Sequence, residues 1–219
     1  MPFALPIRDC QRCPLGAAAL GTCPFVCERR AAGRHIGFSG APVEKAVFVK
    51  RGYVALHQGP GHAHALRGPG ALLRSECLAP RAAVHTIVAI TEVELCALHA
   101  DAFRAFALAR PAVTLQLLAT ELHQRDLDAS FRAGPAVARL CRFLLAWLRG
   151  GGGAYPLPFT QEMLARLIDL RPETLSRVLK LLRKDGLIDT TGLFVRDASR
   201  LAELAAAVPL GAKAVIPRT

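Results

Sequence analysis

The chain has 219 residues, 52% of them hydrophobic and 21% charged, which excludes a disordered polyelectrolyte and leaves enough chain for two modest domains with separate cores. A formal net charge of +11 and a pI near 10.0 imply a polyanionic partner, either nucleic acid or an acidic membrane surface. Charge alone does not locate the surface that meets it, because residues 1–150 hold eighteen Lys or Arg against ten acids and residues 160–200 hold eight against six.

No apolar run approaches the ~20 residues of a membrane helix, and the first residues lack the uninterrupted apolar region of a signal peptide. A cytoplasmic chain with no membrane partner is expected. Its seven cysteines then read as reduced thiols or metal ligands rather than as a disulfide frame. Four of them crowd "CQRCPLGAAALGTCPFVC", where Cys10, Cys13, Cys23 and Cys27 are spaced C-x2-C-x9-C-x3-C. Two intervening residues let the first pair turn back onto one metal centre, and four thiolates suit either tetrahedral zinc or an iron–sulfur cluster.

Short apolar runs punctuated by Gly and Pro at roughly ten-residue intervals follow, the pattern of an antiparallel β structure. "AVFVKRGYVAL" reads as two strands about a tight Arg51-Gly52 turn, and "AAVHTIVAITEVELCAL" as two more, with Cys96 alone near the end. Cys77 and Cys141 sit in apolar surroundings and read as buried thiols. His57, His62, His64 and His85 invite a haem or metal reading, but the alternating His62 and His64 of a Gly-rich hairpin read rather as exposed loop residues, and the four could add positive charge in mild acid.

From residue 100 to about 130 the spacing turns helical, with Leu115, Leu118 and Leu122 on one stripe and Val113 and Leu117 beside it. One long helix is expected. It can bury its stripe on its own domain or on the same helix of a second subunit, and the dimer is the favoured reading. Pro135 starts a further helix, "AVARLCRFLLAWLRG", which the glycines at 150–153 end. The organisation expected is a cysteine-rich segment (1–32), a β-roll sensor domain (33–99), a dimerisation helix (100–134) and a winged helix-turn-helix domain (135–219).

"FTQEMLARLIDLRPETLSRVLKLLRKDGLI" reads as two short helices with a sharp corner. Ala165 is the small residue inside the first helix, Asp169 tolerates positive φ at the corner, and Leu175 and Val178 pack back from the second helix. Thr160 is the N-cap of the first helix, and Pro172 opens a second that runs to about Lys184, with Arg171 a poor cap before it. Glu173, Ser176, Arg177 and Lys180, with Thr174 beside them, form one polar face opposite Leu175, Val178 and Leu182. A helix of this width fits the DNA major groove, where Arg pairs with guanine and Glu accepts from cytosine. "LIDTTGLFVRD" supplies two short strands about Thr191-Gly192, a wing beside the helices; "LAELAAAVPLGAKAVIPRT" reads as a short helix with a loose tail and no assigned role.

"ETLSRVLKLLRKDGLI" in particular resembles the DNA-binding segment of the Crp/Fnr family of bacterial transcription regulators, and "GFSGAPVEKAVFVKRGYVAL" is similar to the family's cyclic-nucleotide-binding-type β-roll. The resemblance covers about residues 33–197 and implies an α+β fold in which that roll leads through a long dimerisation helix to a winged helix-turn-helix. It implies a homodimer that reads a palindrome in double-stranded DNA, with Glu173, Ser176 and Arg177 at the base-contacting positions and RNA polymerase as a further partner. The ETLSR segment is most similar to the Fnr-type branch, which implies TTGAT-like half-sites. That branch holds a 4Fe-4S cluster on three N-terminal cysteines and one from the roll, so Cys10, Cys13, Cys23 and Cys96 are the implied ligands, with Cys27 as alternate. Two departures are evident: the third cysteine interval is longer than in that branch, and Cys27 is surplus, so zinc on the N-terminal cysteines is the alternative.

The family's cradle for a cyclic nucleotide is incomplete here. Glu76 and Arg81 are only five residues apart, Arg74 precedes Ser75 where Gly is wanted, and Ala82 lacks the hydroxyl, so no cyclic nucleotide is expected. The rival reading is a small-molecule- or haem-gated regulator with a structural zinc at the cysteines. An enzyme is not expected, since the chain offers no Ser/His/Asp order, no paired carboxylates in a cleft context and no phosphate-cradling loop; "RGGGGA" lacks the Lys-Ser/Thr continuation.

Overall fold

The computed structural model describes residues 23–59, 63–79, 81–149, 160–189 and 194–206. The chain has an α+β fold that divides into two compact units, residues 1–126 and 127–219.

Among the described residues of the first unit, eight strands form two antiparallel four-stranded sheets. One has the order β1 (Val26–Arg30), β8 (Val93–His99), β3 (Lys45–Arg51), β6 (Leu72–Leu73); the other has the order β2 (His35–Gly37), β7 (Thr86–Ala89), β4 (Val54–His57), β5 (Ala63–Arg67). The two strands expected on either side of Arg51-Gly52 are present, but they lie in different sheets: β3 pairs with β6 and β8, and β4 with β5 and β7. Gly52 turns the chain at φ +81°, where a Cβ would run into the Glu92 carbonyl and the Thr91 hydroxyl, so glycine is required.

The period of two along β3 divides its side chains between two cores. Val47 and Val49 join Leu95 and Ala97 of β8 and meet Val54 and Ile87 of the other sheet, filling the space between the sheets. Ala46 and Phe48 project from the opposite face with Cys96 and pack on Phe25, Phe103, Val113 and Leu117. Phe25, Phe48 and Phe103 meet edge to face, with ring centroids 5.4–6.2 Å apart.

The helical stretch after β8 is two helices, not the single one expected: α1 (Ala100–Leu108) and α2 (Pro111–Ser130). Pro111 has no N–H to donate and excludes Arg110 from ideal helical geometry, so the chain breaks there and restarts with proline at the first position. The Thr114 hydroxyl donates to the Ala107 carbonyl at 2.9 Å and closes the end of α1. Val113 and Leu117 are 0% and 3% exposed against the roll, while Leu115, Leu118 and Leu122 stand 67%, 56% and 49% exposed.

The second unit holds α3 (Ala136–Arg149), α4 (Gln161–Leu167), α5 (Pro172–Lys184) and α6 (Ala198–Ala206). Its buried residues include Leu140, Leu144, Leu164, Ile168, Leu175, Leu179, Leu182 and Leu201. Arg142 ties the ends together: its guanidinium donates to the Ser130 and Ala133 carbonyls at 2.9 and 2.6 Å and to the Ala205 carbonyl at 3.1 Å. The short helix expected after the wing is therefore α6, anchored on α3; the tail beyond it lies outside the described residues.

Phe103 is fully buried where the aromatic cluster meets α1. Phe103→Ala is expected to cost about 3–5 kcal/mol of stability, read as a lower urea midpoint at unchanged slope, with Phe103→Leu retaining most of it.

Candidate DNA interface and cysteine site

The corner between α4 and α5 is set by local sterics and backbone hydrogen bonds. Thr160 caps α4, its hydroxyl accepting from the Met163 N–H at 3.2 Å. At the other end Asp169 takes φ +52°. The Leu170 N–H reaches back to the Ala165 carbonyl at 2.8 Å and the Asp169 N–H to Arg166 at 3.2 Å, the two bonds of a Schellman motif. Arg139 holds this corner from α3, donating to the Asp169 carbonyl at 2.9 Å. Pro172 then starts α5, which ends at a second motif of the same kind: Leu187 N–H to Leu182 at 2.9 Å and Gly186 N–H to Arg183 at 3.0 Å, with Gly186 at φ +69°.

The residues predicted to meet DNA share one side of α5. Leu175, Val178, Leu179 and Leu182 are buried, Glu173, Arg177 and Lys180 are exposed, and Thr174 and Ser176 are half-buried between them. Among the described residues Glu173, Arg177 and Lys180 form no ion pair, so their charged ends are available to a ligand. Arg171 makes no side-chain cap, which leaves N–H groups in the first turn of α5 open to an anion. Beside the helix, Ile188 and Val195 form an antiparallel bridge, with Asp189 N–H on the Phe194 carbonyl at 2.9 Å and Arg196 N–H on Leu187 at 2.9 Å. These are the bases of the wing; its turn at Thr191-Gly192 lies outside the described residues.

Of the cysteines implied as metal ligands, Cys10 and Cys13 lie outside the described residues, and Cys23 and Cys96 lie within them. Cys96 is 7% exposed on the helix-covered face of β8. Its direct partner is Cys27, the alternate ligand: the two face each other in the β1–β8 register, with Sγ atoms 3.6 Å apart. The segment expected to end at residue 32 thus already contributes a strand to the roll. Cys23 packs partly buried against the same core. Among the described residues no three His, Cys, Asp or Glu side chains gather as a metal site. Cys77 and Cys141 are buried as expected, and burial pushes each thiol up to about 11.

Glu76, which the family resemblance would turn toward a ribose, is buried and accepts from the Val84 N–H at 2.9 Å. Arg74, which precedes Ser75 where the family pattern wants glycine, adopts φ +66°; its guanidinium lies where a Cβ on Gly37 would stand and donates to the His85 carbonyl at 3.2 Å. Arg81 is exposed. His64 is not a loop residue: it sits on β5, half-buried and stacked on His85 with centroids 5.7 Å apart. Burial lowers the His85 pKa, with His64 adding to the effect, and burial also lowers that of His57. His62 lies outside the described residues.

Residues 138–204 match the model of the Crp-like helix-turn-helix domain. The probable transcriptional regulator flp of Lacticaseibacillus casei is 32% identical over 113 residues, which is 49% of this chain and 51% of that protein. The chain thus spans about half the length of the curated relative it matches. Among solved structures, FixK2 from Bradyrhizobium japonicum superposes with a TM-score of 0.69 at 22% identity, over 84% of this chain and 99% of that one. A CRP/FNR family transcriptional regulator from Thermus thermophilus, TTHA1359, gives 0.65 at 21%, over 82% and 97%. Residues 138–204 thus match a Crp-like helix-turn-helix domain, and the chain as a whole shares the fold of these two solved structures.

Proposed function

We propose that this chain is a DNA-binding transcription regulator that reports oxygen, nitric oxide or redox state through its cysteines. The observation that carries the DNA reading is the polar face of α5, where Glu173, Arg177 and Lys180 are exposed and unpaired among the described residues above a fully apolar opposite face. Such a helix lies in the major groove, with Arg177 bidentate to a guanine and Glu173 accepting from a cytosine amine. The open first turn of α5 takes a phosphate, and Ser176, Thr174 and Lys180 extend the contact along the backbone.

The exposed leucines of α2 support a homodimer, because Leu115, Leu118 and Leu122 repeat at the three- and four-residue spacing of a coiled-coil seam while Val113 and Leu117 are already committed to the roll. Two copies joined there present two α5 helices to half-sites about one DNA turn apart, a palindrome with TTGAT-like halves. RNA polymerase is the further partner that the family resemblance implies.

Soft thiolate ligands fit an iron–sulfur cluster or zinc. In the cluster reading Cys10, Cys13, Cys23 and Cys96 would hold the group, Cys27 would be spare, and the group would supply the reactivity toward oxygen or nitric oxide. The 3.6 Å between Cys27 and Cys96 favours a second reading, in which both bind one ion. Two thiolates on a tetrahedral zinc with bonds of about 2.3 Å stand roughly 3.8 Å apart, whereas thiolates on separate irons of a cubane stand farther apart.

Three measurements test these assignments. Anaerobic purification with iron, sulfide and zinc analysis separates the cluster from zinc: a brown protein that bleaches in air and loses DNA affinity supports the cluster, and a colourless protein with stoichiometric zinc supports the second reading. In a randomised-site binding assay Arg177→Ala is expected to lose about 1–3 kcal/mol at one base pair and relax the preference there; an unchanged preference removes Arg177 from base reading. Leu118→Glu is expected to shift sedimentation from dimer to monomer at micromolar concentration while the melting temperature of the chain changes little.

A further inference from the structure

Cys27 and Cys96 are the closest pair of thiols among the described residues, and neither their fold nor the DNA reading accounts for the approach. They are directly opposed on neighbouring antiparallel strands, β1 and β8, and are 69 residues apart in sequence, with sulfurs 3.6 Å from each other. Opposed residues of such a ladder have Cα atoms about 4.5–5.5 Å apart, inside the range of about 4.4–6.8 Å that a disulfide spans. Closing the sulfurs to a bond of about 2.05 Å therefore takes rotation of two side chains and little movement of the strands. Among the described residues β1 is the edge strand of its sheet, bonded only to β8, so it can absorb what movement remains.

We propose that in the metal-free chain Cys27 and Cys96 form a peroxide-reactive dithiol that closes to a reversible disulfide. Cys27 is half-buried and Cys96 is 7% exposed, so the first attack belongs to Cys27. Its sulfur, giving up the thiol proton, takes one oxygen of a hydroperoxide: the O–O bond breaks, a sulfenic acid forms, and the departing hydroxide or alkoxide takes up that proton and leaves as water or the corresponding alcohol. The Cys96 sulfur then attacks the Cys27 sulfur, the S–O bond breaks, and hydroxide departs with the Cys96 proton as water. Two electrons pass from the sulfurs to the peroxide, and a dithiol reductant reverses the bond by exchange. Cys77 and Cys141 stay out of this chemistry, because both are buried and their raised thiol pKa keeps them protonated at neutral pH.

The position of the pair gives the bond a consequence. Cys96 belongs to the core wall that seats Phe103 of α1 and Val113 and Leu117 of α2. Phe25, two residues before Cys27, touches Phe48, Phe103 and Phe106 with centroids 5.4, 6.2 and 6.2 Å apart. The disulfide fastens β1 and its Phe25 ring to the seat of the helix that carries the exposed leucines.

This inference rests on the thiols alone and stands or falls separately from DNA reading and from the identity of any bound metal. The test uses the full chain, stripped by chelator, assayed for residual metal, reduced, and treated anaerobically with one equivalent of hydrogen peroxide. The expected products are a loss of two hydrogens per chain, a cross-linked peptide pair containing Cys27 and Cys96, and Cys77 and Cys141 fully alkylated after denaturation. Dithiothreitol is expected to reverse the link, and closing a loop of this length raises the melting temperature by roughly 5–15 °C. Cys27→Ser, a half-buried edge position, is expected to abolish both the link and the gain; the wild-type peptide map needs no variant to fold. Cys96 joined instead to Cys10, Cys13 or Cys23, or left free after the peroxide is consumed, overturns the proposal. Specific DNA binding by the reduced chain is measured in parallel, so that its loss counts against the DNA reading alone.

Discussion

The first unit depends on the pairing of β3 with β8, because both strands are buried on both faces. Residues that alternate along β3 serve two cores: Val47 and Val49 fill the space between the sheets, and Ala46 and Phe48 face the helices. β8 repeats the division, with Leu95 and Ala97 on one side and Cys96 on the other. A slip of one residue in this register would exchange the two sets and put Phe48 and Cys96 between the sheets. The register is therefore held by the mismatch in shape between two full cores, and it fixes which cysteine faces α1 and which strand it meets.

The same division decides what α2 has left to offer. A helix docked on the roll through Val113 and Leu117 cannot turn Leu115, Leu118 and Leu122 inward as well, since those positions lie around the helix from the docked pair. Pro111 sharpens the constraint: by ending α1 it lets α2 take its own direction, with the Thr114 hydroxyl closing the joint. The thiol pair, the aromatic cluster and the base of α2 are thus consecutive parts of one packed wall. A change at Cys27 or Cys96 has a physical route to the leucine stripe that passes through Phe25 and Phe103.

How much of this is legible in the sequence follows from how local each constraint is. Thr160, Asp169, Pro172 and the leucines of α5 act within one or two turns of chain, so the corner and the helix that ends at Lys184 can be read from residue types alone. Strands β3 and β4 are also visible as strands, but their partners lie far along the chain, and nothing in "AVFVKRGYVAL" states that its two halves enter different sheets. The restart at Pro111 has a local signal in the proline itself, which the helical spacing on either side outweighs. His64 reads as a loop residue from its glycine-rich surroundings, although the alternation that puts it on β5 between the buried Ala63 and Ala65 is present in the sequence. The opposition of Cys27 and Cys96 has no sequence signal, since it exists only once β1 is set against β8.

The turn at which the family resemblance places a nucleotide cradle is occupied by the protein's own hydrogen bonds. The Glu76 carboxylate, which could have faced a bound sugar, accepts instead from the Val84 N–H inside its own loop. Arg74 occupies the left-handed region usually left to glycine, and its guanidinium fills the space over Gly37. Glu76 and Arg74 are both engaged with the protein's own backbone at this turn, while Arg81 is exposed. On the wall beneath α1 and α2, by contrast, the thiols of Cys27 and Cys96 are set against each other.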